Sequence, residues 1–152
     1  MSDNEQLPQP GIPRLIREAR PDDVPAMLGF DAYAQSHASR GQALGEAVGR
    51  GQVWVELACD RIAGYVLLNH DFFDQGFVSL VVVAPGQQRQ GVAQRLLAAA
   101  EKACRTSKLF TSTNRSNRAA QGLLAKAGFR PSGVVENLDE DDPELIFFKA
   151  VR

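Results

Sequence analysis

Apolar and polar positions along this chain fall into short, clearly separated blocks. Gln52 to Ala58 and Arg61 to Asn69, with Trp54, Val55, Ile62, Val66 and Leu68 as their apolar content, read as a hairpin turning at Cys59-Asp60. Phe77 to Val83 is nearly continuous in apolar residues, which predicts a central strand buried on both faces. In Gln90 to Arg105 the residues Ala93, Leu97, Ala100 and Cys104 recur every four or three positions, the period of a helix with one buried face. Upstream, Arg14 to Arg20 reads as a first strand, although Glu18 and Ala19 also suit a helix. Pro21-Asp22-Asp23 then opens a helix running to about His37, the proline fitting its first turn and the two acids its N-terminus. Gly41 to Arg50 forms a second, short helix. Downstream, Leu109 to Thr113, Ser116 to Ala127, Phe129 to Glu136 and Leu145 to Val151 give strand, helix, strand and strand, with Gly128 at a helix C-cap position. Residues 1–13, rich in proline, read as a disordered or extended arm. Residues 14–152 read as one α/β domain, without internal repeat or low-complexity tract.

Composition narrows the class. A chain of 152 residues with 44% hydrophobic and 23% charged residues suits one soluble globular domain with a real core. It has no run of 18 apolar residues, and its start is polar and acidic. Neither a membrane span nor a secretory signal is therefore expected, and the cytoplasm is the default location. Cys59 and Cys104 lack Cys-x-x-Cys spacing and read as reduced core thiols; His37 and His70 are too few and too far apart for zinc, so no metal is expected.

Candidate chemistry concentrates where the apolar strand meets the Ala/Leu helix. Gln88-Arg89-Gln90-Gly91-Val92-Ala93 reads as a phosphate cradle, because a helix N-terminus leaves about four backbone N–H groups unpaired at the positive end of its dipole. Charge supports an anionic ligand there. Gly86 to Arg130 holds nine basic residues against the single acid Glu101, a net +8 in a chain whose formal charge is −1. The loop is not that of a nucleoside triphosphatase, since Gly91 is followed by Val92 and Ala93 rather than Lys and Ser or Thr. It is not a dinucleotide fingerprint either, being mid-chain with one glycine. Nucleic acid is excluded as a partner by the overall charge and by the near absence of aromatics, only Phe110 and Phe129, in the basic segment.

Taken together, Val83-Ala84-Pro85, Gln88 to Ala93, Asn117 and Gly128-Phe129 stand in the order and spacing of the GNAT superfamily of acyl-CoA-dependent N-acyltransferases, which the chain resembles over residues 14–150. The resemblance implies a mixed, mostly antiparallel sheet flanked by helices, with acetyl-CoA as co-substrate. It implies that the edge of the central strand at Val81, Val82 and Val83 holds the pantetheine arm. The pyrophosphate maps to Arg89, Gln90, Gly91, Val92, Ala93 and Gln94, with Gln88 opening the motif. Asn117 reads as a helix cap by itself; the resemblance adds a contact to the cofactor. A homodimer is a common outcome in the family.

Two positions depart from the pattern. Where many members carry a tyrosine that protonates the departing thiolate, this chain has Leu124; where some carry a glutamate base, it has Ser112. Thiolate, with a pKa near the 8.5 of cysteine, can leave unprotonated, and backbone N–H at Val81 to Val83 can serve the oxyanion. Glu136 and Glu144 are candidate bases, with Asp71 and His70 behind them, and each is equally read as an ordinary surface residue. Glu136 to Glu144 holds six acids and no base. It is either a solvated loop or the edge of a pocket that attracts a cationic amine. Phe72 and Phe73 are either core or apolar contacts for the acceptor. The expected activity is acetyl transfer from acetyl-CoA to a primary amine, a small cationic acceptor, by direct attack in a ternary complex. The alternatives are acetylation of a protein N-terminus or lysine, and an inactive acyl-CoA-binding sensor.

Overall fold

Two tight turns with left-handed backbone, Cys59-Asp60 (φ 49° and 64°) and Phe73-Asp74 (φ 51° and 62°), fold the middle of the chain into three consecutive antiparallel strands. These are β2 (Val53–Ala58), β3 (Arg61–Phe72) and β4 (Gln75–Val83). The second turn has no Gly or Asn to announce it, and a strand ending at Asn69 falls three residues short of the real one. The computed structural model describes residues 11–152, so the first ten residues of the expected arm lie outside the described part.

β1 (Arg14–Glu18) pairs antiparallel with β2. On the other side come β5 (Lys108–Asn114), β6 (Arg130–Val135) and β7 (Glu144–Ala150), in the sheet order β1-β2-β3-β4-β5-β7-β6. Every pairing is antiparallel except β4 with β5. That parallel pair needs a crossover, supplied by α4 (Val92–Ala103), while α5 (Arg118–Lys126) connects β5 to β6. Among the described residues no helix is long and apolar enough to cross a membrane.

The single helix expected from Pro21 to about His37 is broken into a 3-10 turn (Pro21–Asp23), α1 (Val24–Phe30) and α2 (Ala32–Ser36), followed by α3 (Ser39–Gly49). The break is at Asp31, whose backbone is extended (ψ 101°). Its buried carboxylate caps α2 by accepting from the Tyr33 and Ala34 amides (3.1 and 3.4 Å), and also accepts from Arg40 Nη1 (2.7 Å) and the Tyr65 hydroxyl (2.6 Å). A tertiary demand from β3 thus overrides local helix propensity. Burial, then the Asp31 carboxylate, pushes the Tyr65 hydroxyl far up, so it stays protonated as a donor.

The sheet carries a core on each face. Val66, Leu68 and Val78 pack against Val92, Leu96, Leu97 and Ala100 of α4 and Leu124 of α5. Val53, Val55 and Tyr65 pack against Met27, Leu44, Ala47 and Val48 of α1 and α3. In β4 the register slips so that Leu67 faces Leu80 and Leu68 faces Val78, which leaves Ser79 as the extra residue of a bulge. Because of it, Val78 and Val81 point to the same side, although three residues apart. The expectation of a strand buried on both faces from Phe77 to Val83 therefore needs correcting: Val78 alone is buried, Ser79 is exposed, and Phe77, Leu80 and Val81 to Val83 are half-buried. The β5-facing edge of Val81 to Val83 is open.

Candidate functional site

β4 and β5 pair only from Gly76–Leu109 to Val78–Thr111 and then part. The Thr111 hydroxyl closes the apex by donating to the Val78 carbonyl at 2.8 Å. Beyond it the backbone of β4 faces an opening. The Ala84 amide donates to Ala63 O on β3 (2.8 Å), and the Val82 carbonyl lies 2.7 Å from where a Cβ on Gly64 would stand, so residues 82 and 84 turn their polar groups toward β3. By strand alternation Val81 and Val83 turn theirs into the fork. Val82 contributes neither backbone nor side chain to it, since its side chain packs with the α1–α3 core. The fork encloses a cavity of about 320 Å³. Val81, Val83, Ala93 and Leu97 form one wall, Thr111, Ser112 and Thr113 the other, and Asn117, Leu123 and Leu124 sit beneath. Among the described residues no ionisable side chain lines it.

The fork runs into a second, larger groove of about 790 Å³, and the two share Val83, Ala93, Asn117, Ala120 and Leu123. One wall is the loop after β4. Arg89 (φ 61°) and Gly91 (φ 77°) bend it so that α4 starts at Val92 with no side chain capping its first turn and no acid in it. Gly64 permits this placement, since a Cβ there would meet Val92 and Leu96 at 3.0 and 3.2 Å. The other wall is α5, with Arg118 and Lys126. That helix is capped by Asn117, whose Oδ1 accepts from the Ala120 amide at 3.0 Å. The groove thus offers free amide donors and cations to one anion. Among the described residues the buried Gln87 Oε1, behind the groove, has no hydrogen-bond partner.

The loop residues divide by role. Gln88, Arg89, Gly91, Val92, Ala93 and Gln94 line the groove. Gln90 is outside that lining and braces the loop, accepting from Arg14 Nη2 (2.5 Å) and donating to Gly86 O (3.2 Å). Gln94 also ties α4 to α5 through the Leu123 carbonyl at 3.1 Å. Behind the loop lies Glu56, fully buried and bonded to Arg14 (2.9 Å) and to Arg95 (2.5 and 3.1 Å). Burial favours its protonated form, but Arg95 and then Arg14 outweigh burial and hold the carboxyl below its usual range.

Comparison with known proteins gives the family of the chain. Residues 15–129 match the acetyltransferase (GNAT) family model. The chain belongs to the GNAT family of acetyltransferases. A GNAT-family acetyltransferase from Bacillus cereus ATCC 10987 is 33% identical with a TM-score of 0.85, covering 91% of this chain and 97% of that one. The fold is also shared by yncA of Salmonella typhimurium, solved with acetyl-CoA (18% identity, TM-score 0.73, 91% and 94% covered). It recurs in the ribosomal-protein-S18-alanine N-acetyltransferase of Escherichia coli (19% identity, TM-score 0.75, 91% and 94% covered). No curated relative matches the chain.

Within this GNAT acetyltransferase the remaining sequence candidates scatter. Leu124, 5% exposed, and Ser112 both line the fork. Glu136 is exposed just past β6, and Glu144 opens β7 opposite Asn114; neither lines the fork. His70 accepts the Arg105 amide (3.0 Å) beyond the end of α4, and burial followed by the Arg105 charge lowers its pKa. Asp71 is exposed at the end of β3. The acidic segment is tied to the β5–α5 junction, where Asp139 accepts from Asn114 (2.8 Å) and Asp142 from the Ser116 hydroxyl and amide (2.6 and 3.0 Å). Glu140 and Asp141 stay exposed. Phe72 sits 5.0 Å from both Phe77 and Phe110, whereas Phe73 is 84% exposed. The thiols also differ: Cys104 is buried, but Cys59 sits exposed in its turn rather than in the core. Gln87, Glu56 and the Ser79 bulge have no local motif that marks them. Only the net basicity of the segment hints at Arg118 and Lys126.

Proposed function

We propose that this acetyltransferase moves the acetyl group of acetyl-CoA onto a primary amine, a small cationic acceptor, by direct attack in a ternary complex. The observation that carries the reading is the continuity of the uncapped α4 groove with the fork. The groove suits the CoA diphosphate, which would lie against the first amides of α4 with Arg89, Arg118 and Lys126 around it. The fork suits the arm and thioester, alongside the open backbone of Val81 and Val83. An N–H from that edge would stabilise the oxyanion as the amine adds to the carbonyl.

Proton handling follows from what lines the fork. With Leu124 and Ser112 there, and no ionisable group, the acceptor ammonium gives one proton to water before the free amine attacks, the adduct nitrogen gives a second, and the C–S bond breaks to release the thiolate unprotonated. Glu136 or Glu144 can take either proton only through a water relay. The acids of the β6–β7 segment would draw the cationic acceptor toward the fork. Lack of an ionisable group also favours a second reading, acyl-CoA binding without turnover.

Thiol release from acetyl-CoA, measured against amines, amino acids, polyamines and peptides, decides between them. Turnover with cationic amines, with kcat/KM rising toward the acceptor's own pKa and no enzyme base levelling it below, is expected. CoA binding with no turnover across the panel gives the sensor instead, and turnover confined to peptides moves the acceptor class to protein termini or lysines.

A further inference from the structure

Glu56 is a carboxylate with no exposed surface, and acetyl transfer as described makes no use of it. A charge without solvent persists only with partners, and its two come from opposite sides of the loop. Arg14 on β1 donates to it at 2.9 Å, and Arg95 on α4 donates twice, at 2.5 and 3.1 Å. Both arginines continue to the loop. The second nitrogen of Arg14 donates to Gln90 at 2.5 Å, and Gln90 donates onward to Gly86 O at 3.2 Å. Arg95 Nη1 lies 2.7 Å from the place a Cβ on Gly91 would take. One connected set of contacts therefore runs from the middle of β2 to both ends of the Gly86–Gly91 turn.

We propose that Glu56 is a positioning residue for the CoA diphosphate: it fixes Arg14 and Arg95 so that the turn is held open and the first amides of α4 stay aimed into the groove. The proposal rests on the reading that this groove receives the diphosphate. Two guanidinium groups around one carboxylate also leave a net positive charge behind the loop, which favours an anion in front of it. A pair that merely held β2 to α4 would stabilise the fold and affect every acetyl donor alike. A positioning residue affects only donors that carry the diphosphate.

Acetyl-pantetheine has the thioester and the arm but no diphosphate, so it separates these cases. In the full chain carrying Glu56→Gln, the calorimetric Kd for CoA should rise about tenfold, the loss of one charge-assisted hydrogen-bond set. The ratio of kcat/KM for acetyl-CoA to that for acetyl-pantetheine should fall by the same factor. An unchanged Kd, or equal losses with both donors, overturns the proposal. A wild-type protein that does not prefer acetyl-CoA to acetyl-pantetheine removes the diphosphate site itself, and the proposal with it. Arg14→Met cuts the same set of contacts on an edge strand and guards against a Glu56 variant that does not fold. It should shift Kd and ratio in the same direction by a smaller factor, and no shift in either counts against the proposal.

Discussion

β3 holds β4 from Gln75 to Val83, whereas β5 holds it only to Val78, and the regions proposed for donor and acceptor around the resulting fork are built from different materials. The proposed donor side is mostly backbone: the open edge of β4, a turn with three residues at positive φ (Gly86, Arg89 and Gly91), and the uncapped start of α4, braced from behind by Glu56 and its arginines. The region proposed for the acceptor rests on side chains from separate elements, with Asn114 and Ser116 tethering an acidic segment whose Glu140 and Asp141 remain in solvent. A rigid backbone site fits a ligand part that never changes. Exposed side chains on a tethered loop can be exchanged without disturbing the fold, which suits the side that sets acceptor choice.

The sharpest way to break this contrast is at Gly91. Glutamate there would strain a residue at φ 77°, press on Arg95 and place negative charge where an anion should bind. CoA affinity by calorimetry should fall by more than about 100-fold while near-ultraviolet circular dichroism retains the native signature. Unchanged affinity would put the donor site elsewhere.

Leu124 tests whether the fork is packed or catalytic. Being buried against α4 and the sheet, Leu124→Ala should lower unfolding free energy in urea by about 2 to 5 kcal/mol. A loss below about 1 kcal/mol would mean the fork floor is not part of the core.

The brace has a pH signature. Glu56 is held below the usual carboxylate range when folded, so its contribution to stability is complete above the unfolded value of about 4.3 and is lost as pH falls through the lower folded value. Urea midpoints measured downward from pH 5 should show this acid limb in the wild type. It should shrink in Glu56→Gln, and identical limbs in both would mean that Glu56 carries no such linkage.

The smallest expected effect is on the acceptor side. Neutralising Glu140 and Asp141, which leaves the Asp139 and Asp142 tethers intact, should raise acceptor KM about two- to fivefold at low salt with no change in CoA affinity. Wild-type KM should climb with ionic strength more steeply than that of the variant. Equal salt dependence would make the segment an ordinary solvated turn.

The same contrast explains what could be read from the chain. Gln88 to Ala93 and the apolar run before them are local, since one stretch supplies the strand, the bend and the helix start, and the order of motifs led to the family. Glu56 was hidden because its meaning lies in Arg14 and Arg95, 42 and 39 residues away along the chain. The break at Asp31 depends on Tyr65, and the Phe73-Asp74 turn puts at its first position a phenylalanine, which does not ordinarily favour positive φ. The bulge at Ser79 follows from pairing with β3, which no local pattern encodes.

The central claim is that one continuous groove, from the start of α4 to the open edge of β4, receives the acetyl donor. Titrating CoA into isotope-labelled protein and following backbone amides by NMR tests it residue by residue. The amides of Gly91, Val92 and Ala93 and those of Val81 and Val83 should move together with one Kd, while that of Val82, turned toward β3, moves least. Perturbations centred on the β6–β7 segment, with Gly91 to Ala93 unmoved, would contradict it.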